Sequence, residues 1–278
     1  MAEPVFALQN VDFAYDSGQM ALQDVSLSIC PGERIVVLGS NGSGKSTLLK
    51  LLDGLYYPTG GELKAFGRAL TEAAFADDAF NFAFRRRVGL VFQDTDVQLF
   101  NASVFDEVAF APLQLDLPRA DVTARVEAAM RDLRIERLRD RAPHRLSGGE
   151  KRRVALASVL SLGPEVWLLD EPTTGLDPRS QSWLVDFICA QGAAGRTVVT
   201  ATHDLTIVDT IADRVLVFGE DHRLAAAGTP AEILSNSELL LACNLTHEHW
   251  HRHPEKPDGH RHLHYHGAPH DHGHERTG

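Results

Sequence analysis

Three short stretches of this chain hold residue types that, at their spacing, could bind and cleave a phosphate chain. The first is Gly39-Ser40-Asn41-Gly42-Ser43-Gly44-Lys45-Ser46-Thr47. Gly39 and Gly44 let the backbone wrap closely around phosphate oxygens, with amide N–H groups and a following helix N-terminus aimed at the anion. Lys45 would bring positive charge to the β and γ phosphates, and the Ser46 hydroxyl would ligate Mg²⁺. The second stretch is Val166 to Pro172, VWLLDEP. Its apolar run delivers Asp170 and Glu171 to the end of a strand, where ligands collect in open α/β sheets. Asp170 is the expected Mg²⁺-side carboxylate, and Glu171 is placed to polarise water against the γ-phosphate. The third is LSGGE, Leu146 to Glu150. Ser147, Gly148 and Gly149 at a helix start make a second anion site from backbone amides and a hydroxyl, although alone they read as an ordinary N-cap.

The elements around these stretches are of the kind needed to position them. Arg34 to Leu38 (RIVVL) is an apolar, β-branched strand running into the glycine-rich loop, and Ser46 to Leu52 continues as a helix. Val5 to Phe13 and Ala21 to Ile29 alternate apolar and polar residues, as half-buried antiparallel strands do. Val88 to Phe92, Val166 to Leu169, Thr197 to Ala201 and Arg214 to Phe218 read as strands. Helices are expected from Arg119 to Arg139 and from Ser147 to about Leu162. Strands alternating with helices imply an α/β fold whose mainly parallel sheet is covered on both faces.

Composition narrows the partners. The net charge of -11 provides no basic footprint for a nucleic-acid backbone. Cys30, Cys189 and Cys243 are odd in number and widely separated, which fits a reducing compartment without a disulfide framework. No basic-then-apolar leader opens the chain, and no stretch approaches the roughly 18–20 apolar residues of a membrane helix. Near Thr246 the composition changes. Eleven of the fourteen histidines follow it: His247, His249, His251 and His253; His260, His262, His264 and His266; His270, His272 and His274. With almost no aliphatic side chain, residues 241–278 are expected to be a disordered tail. Its imidazoles suit Ni²⁺, Co²⁺, Zn²⁺ or Cu²⁺.

The order of the three motifs resembles that of the ATPase subunits of ABC transporters, over nearly the whole chain to about residue 240. The resemblance implies an ABC-type P-loop ATPase domain over residues 1–240, with an antiparallel β subdomain and a helical signature subdomain over about 94–162. It implies that LSGGE closes on ATP held by the phosphate loop of a second subunit, so that a dimer, here a homodimer, shares two Mg·ATP sites. Tyr15, in FAYDSG, then matches the aromatic that stacks on adenine. Gln93, in VFQDTD, matches the glutamine that senses Mg²⁺ and water. Asp177, in GLDP, matches a loop crossing the dimer interface, and His203, in ATHDL, matches the switch histidine near the γ-phosphate. Glu150 stands where many relatives have Gln.

Val91 to Pro112 (VFQDTDVQLFNASVFDEVAFAP) is similar to the energy-coupling-factor importers, particularly their cobalt and nickel branch. That resemblance implies a transmembrane coupling protein, contacted by Asp96 to Phe100, and a separate substrate-capture membrane protein. It places the chain peripherally on the cytoplasmic face of the cell membrane, driving uptake of nickel or cobalt. Vitamin uptake through the same type of machine, or a soluble non-transport ABC ATPase, are the competing readings.

Overall fold

The computed structural model describes residues 3–115, 117–253 and 256–265, with residues from 247 onward given by their backbone alone. The chain opens with β1 (Phe6–Ala14) and β2 (Met20–Ile29), which pair antiparallel, before β3 (Arg34–Leu38) enters a second sheet. Helix α1 (Lys45–Leu52) follows β3 through the glycine-rich loop. Next come β4 (Gly60–Ala65), β5 (Arg68–Ala69), α2 (Glu72–Phe75), α3 (Asp78–Arg85) and β6 (Val88–Val91). The helices α4 (Val104–Gln114), α5 (Arg119–Asp132) and α6 (Gly148–Leu160) form one packed group. The remainder alternates as β7 (Val166–Asp170), α7 (Pro178–Ala193), β8 (Thr197–Thr202), α8 (Val208–Ile211), β9 (Arg214–Phe218) and β10 (Leu224–Gly228). It ends with α9 (Pro230–Leu234), α10 (Ser237–Ala242), β11 (Thr246–His253) and β12 (Lys256–Tyr265).

The central sheet has the order β10-β9-β3-β8-β7-β6, parallel except at β10. A smaller antiparallel sheet, β2-β1-β4-β5, packs beside it. Both follow from sequence: β3 and β7 are short and mostly apolar because both faces are buried, whereas β1 alternates because only one is. Leu48, Leu49, Leu51 and Leu52 of α1 are fully buried beneath the two sheets. Each such leucine stabilises the packing by roughly 1.5–3 kcal/mol, which fixes the loop that precedes α1. The parallel order carries β3 and β7 side by side with β8, so the Gly-rich loop and Asp170-Glu171 emerge at the same edge.

Two expected element ends shift. The helix from Arg119 stops at Asp132, because Arg134 adopts a left-handed φ of 55° that no helix continues through. The strand at Val88 ends at Val91, one residue early. Around the expected break at 240, α10 runs on to Ala242, and Leu240, Cys243 and Leu245 are buried in the main core. Past α10, the backbones of β11 and β12 pair antiparallel. His266, His270, His272 and His274 lie outside the described residues.

Candidate functional site

The glycine-rich loop closes tightly on itself and leaves no room for side chains at two positions. A Cβ on Gly39 would stand 2.2 Å from Ser43 Oγ, and one on Gly44 2.2 Å from the Ala21 carbonyl. Gly44 also holds φ at 107°, a conformation that L residues rarely adopt. Between them, Ser43 Oγ is buried without a hydrogen-bond partner. The hollow is therefore shaped for backbone to approach a ligand, with a polar group left over for it.

Lys45 begins α1 and is only 5% exposed. Its Nζ donates to the carbonyls of Gly39 at 2.8 Å and Ser40 at 3.1 Å, and lies 3.3 Å from Glu171 Oε1. These oxygens partner the buried amine, and the arriving negative charge of a phosphate can replace the carboxylate among them. Ser46 Oγ donates to Asp170 Oδ1 at 2.9 Å. A hydroxyl and a carboxylate side by side form the hard oxygen pair that Mg²⁺ prefers. Burial pushes the Asp170 carboxyl above its usual range, opposed by the Ser46 hydroxyl and raised further by neighbouring Glu171.

Glu171 follows β7 with a left-handed φ of 42°, its amide donating to the Ala201 carbonyl at 2.9 Å. His203 Nδ1 stands 3.0 Å from the Glu171 carboxylate, and Thr202 Oγ1 donates to it at 3.4 Å. A carboxylate bracketed by a lysine, an imidazole and a hydroxyl is oriented on three sides and can accept a proton from a water in the cleft.

A cleft of about 460 Å³ joins Tyr15, Asn41, Gly42, Gly44, Lys45, Ser46, Thr47, Gln93 and Glu171. Tyr15 is fixed at its mouth: its hydroxyl shares a 2.7 Å hydrogen bond with Thr47 Oγ1, and its ring meets Phe13 and Tyr56 edge-on. His203 lines a neighbouring cleft of about 640 Å³ with Ser40, Asn41 and Asp204.

The signature residues are not part of either cleft. Ser147 caps α6 in a reciprocal capping box with Glu150, and Ser147 and Gly148 are exposed. A Cβ on Gly149 would come within 3.4 Å of Ser180 Oγ, in the first turn of α7. Asp177 caps that helix, accepting from the Ser180 amide at 3.0 Å. LSGGE and Asp177 thus share one open surface, separate from the phosphate loop of their own chain.

Two buried residues that the sequence reading passed over hold this apparatus together. Arg152 of α6, 5% exposed, donates to the carbonyls of Phe92 at 2.7 Å and Gln93 at 2.8 Å. The signature helix therefore fixes the backbone of the glutamine loop. Glu107 of α4, 3% exposed, accepts from the amides of Phe100 at 2.9 Å and Asn101 at 2.8 Å, which fixes the loop before it. Neither has a motif of its own; an arginine and a glutamate inside amphipathic helices read as solvated until burial is known.

The ABC transporter family profile matches residues 22–174. This chain belongs to the ABC transporter ATP-binding family. It is an ABC ATPase. It is 52% identical over 245 residues to the "Nickel import ATP-binding protein NikO" of Rhodobacter capsulatus, covering 87% of this chain and 96% of that one. It is 45% identical over 242 residues to the "Cobalt import ATP-binding protein CbiO" of the same organism, covering 87% and 85%. Among solved structures, it superposes with a TM-score of 0.73 and 35% identity on cbiO1 from Clostridium perfringens, described as part of the ABC transporter complex cbiONQ, covering 87% of this chain and 95% of that one.

Among the described residues, no helix is long and apolar enough to cross a membrane. Among those whose side chains are described, no group of three or more His, Cys, Asp or Glu is gathered as a transition-metal site.

Proposed function

We propose that this ABC ATPase is the energy-supplying subunit of an energy-coupling-factor importer that takes up a transition-metal cation, nickel first and cobalt second. The observation that carries the assembly is the separation of the two anion sites within one chain. Lys45, Ser46 and Glu171 line one cleft, with Asp170 bonded to Ser46 beside it, while Ser147 and Gly148 are exposed on a separate surface next to half-buried Gly149. A second copy supplying its LSGGE would complete each site, with Asp177 at the seam.

In that reading the backbone of Gly39 to Thr47 and Lys45 bind the triphosphate, and Tyr15 stacks on the base. Ser46, Asp170 and Gln93 would hold Mg²⁺, which neutralises charge developing on the phosphates. Glu171 accepts the proton of the attacking water, and His203 steadies Glu171 and the terminal phosphate. Release of Glu171 from Lys45 when phosphate arrives is what frees the carboxylate to act as a base.

The membrane side is supported by a separate surface. Val97 is 72% exposed and Phe100 66%, beside a groove of about 280 Å³ lined by Phe92, Phe110 and Leu162. Exposed apolar residues of this size in a loop pinned from behind by Glu107 and Arg152 suit a helix of a transmembrane coupling protein. This would hold the chain on the cytoplasmic face of the membrane, alongside a substrate-capture protein. The metal is supported by the NikO and CbiO likeness and by the imidazole-rich tail, whose ligands suit borderline divalent cations.

The test is uptake of radioactive Ni²⁺ and Co²⁺ by cells lacking this gene and supplied with the intact chain, Lys45→Ala, or a version ending at Thr246. Restored uptake with the intact chain and none with Lys45→Ala is expected. If neither ion depends on the gene, the metal assignment falls and vitamin import takes its place.

A further inference from the structure

The cleft around Lys45 and Glu171 is also lined by a residue that belongs to none of the phosphate-binding stretches. His222, in the turn from β9 to β10, lines it together with Met20 and Ala21 of β2. Its place in that turn favours glycine. The His222 amide donates to the Gly219 carbonyl at 3.2 Å, and His222 itself takes a left-handed φ of 63°. Glycine adopts that conformation freely, whereas a residue with a Cβ adopts it at a cost. A second cost lies in the ring, whose Nδ1 is buried without a hydrogen-bond partner.

The surroundings hold this arrangement in place. The Gln23 amide donates to the His222 carbonyl at 3.0 Å, and the Gly219 amide donates to the Arg223 carbonyl at 3.0 Å. Glu220 accepts from Asn244 Nδ2 at 2.9 Å, and Arg223 Nη1 donates to Asp24 Oδ2 at 3.3 Å. A strained residue fixed from both flanks points to a task for its side chain. The ring itself indicates the chemistry. An imidazole with one N–H can place it on either nitrogen, and a buried lone pair without a partner is tolerated better than a buried N–H without one. The proton therefore sits on Nε2, which is left to donate to a group entering the cleft.

Ala21 shows which part of a nucleotide would meet that donor. Its carbonyl abuts Gly44 at the start of α1, while Tyr15 stands at the mouth of the same cleft. A nucleotide with its base on Tyr15 and its phosphates on the glycine-rich loop passes its sugar between the two, along Met20 and Ala21. We infer that His222 is a further nucleotide-binding residue, its Nε2–H donating to an oxygen of the sugar or of the α-phosphate. The inference rests on the reading of this cleft as the ATP site and adds a contact from outside the motifs. ATP and ADP share those oxygens, so the contact is indifferent to the γ-phosphate and holds the nucleotide without acting in its cleavage.

The test uses the purified full-length chain, titrated with ATP and with ADP by calorimetry in the absence of Mg²⁺, with the Tm of the nucleotide-free protein measured alongside. His222→Gly should weaken ATP and ADP binding by the same factor, about 3–10-fold, as expected for one lost hydrogen bond. The Tm should hold or rise, because glycine relieves the left-handed φ. That pairing of weaker binding with undiminished stability is what a merely structural histidine would not give. His222→Gln, whose amide nitrogen can take the place of Nε2, should bind within about threefold of the intact chain. Unchanged affinity in His222→Gly, a loss confined to ATP, or weaker binding with a lowered Tm and no recovery in His222→Gln would each overturn the inference. Lys45→Ala separates it from the reading beneath it. Nucleotide affinity retained in Lys45→Ala would remove the cleft as the ATP site, whereas affinity lost there and kept in His222→Gly would remove the role of His222 alone.

Discussion

Helices α1 and α6 both start with glycine and a hydroxyl and both offer amides to an anion, yet the chain finishes one and leaves the other open. Helix α1 buries an ionisable group at each end: Lys45 at its start, against two carbonyls and Glu171, and Asp53 at its close, against Arg85. Helix α6 caps itself with Ser147 and Glu150 on the surface and buries its charge further in, at Arg152. The difference teaches where the reaction's parts reside. In the proposed reading the charged groups that act on phosphate belong to the α1 cleft, whereas α6 would contribute only neutral donors, once a second copy covers it. Its buried arginine connects that surface to Gln93, so a partner arriving at Ser147 is joined by one rigid helix to the loop at the cleft.

The largest effect should come from the cleft. Glu171→Gln retains the shape of the side chain and removes its capacity to take a proton. Steady-state hydrolysis is expected to fall by about 10²–10⁴-fold while ATP binding persists, giving a dimer that survives gel filtration in Mg·ATP. Undiminished turnover in this variant would refute the assignment of Glu171.

Adding Gly149→Asp sharpens the contrast between the helices. A carboxylate placed at the start of α6 would face incoming phosphate with like charge, while leaving the α1 cleft untouched. In the Glu171→Gln background the added substitution should abolish the ATP-dependent dimer, with binding of a fluorescent ATP analogue to the single chain altered less than about threefold. If analogue binding falls as steeply as dimer formation, LSGGE acts on the phosphate loop of its own chain and the comparison fails.

Much of the α1 side was legible in the sequence because its constraints are local. A β-branched strand, glycines at fixed offsets and a lysine at a helix start state their own geometry, and Gly44 carries it visibly in φ. The Asp170-Glu171 pair was legible for the same reason. What remained hidden is the set of contacts made across long sequence distances. Arg152 reaches back about 60 residues to Phe92 and Gln93, and Thr202 and His203 reach Glu171 only because β7 and β8 are neighbours. The short elements between β4 and β6 lacked a clear period.

Asp53 provides a pH test of how α1 is held. Burial pushes its carboxyl up to about 7 from the ordinary 3.8, with Arg85 drawing it part of the way back. The folded chain therefore keeps this proton over a range where the unfolded chain has lost it. Fewer protons on the unfolded state mean that stability falls as pH rises from about 4 to about 7, then levels off. The whole excursion is at most about 4 kcal/mol from this group. Asp53→Asn should flatten that slope in urea titrations across the window, and an unchanged slope would mean that the carboxyl is ionised in the fold.

The smallest effect separates the requirements of stability from those of chemistry within the same cleft. Asp170 is raised by burial and by the adjacent Glu171 charge, so in the nucleotide-free protein at neutral pH its ionised form opposes folding. Asp170→Asn removes that charge, and an amide oxygen in its place still accepts from Ser46. The free protein should gain about 1 kcal/mol, or roughly 2–4 °C in Tm, while Mg²⁺-dependent hydrolysis is lost. The equivalent neutralisation on α6, Glu150→Gln, should leave Tm lower or unchanged. Glu150 lies below its ordinary range, first through the Ser147 backbone amide, and its charge supports the cap it belongs to. A stabilised Asp170→Asn beside an unstabilised Glu150→Gln would show that α1 sacrifices stability to keep charge where phosphate arrives and that α6 does not. Destabilisation of both would mean that the cleft carboxylate is a structural cap like its counterpart.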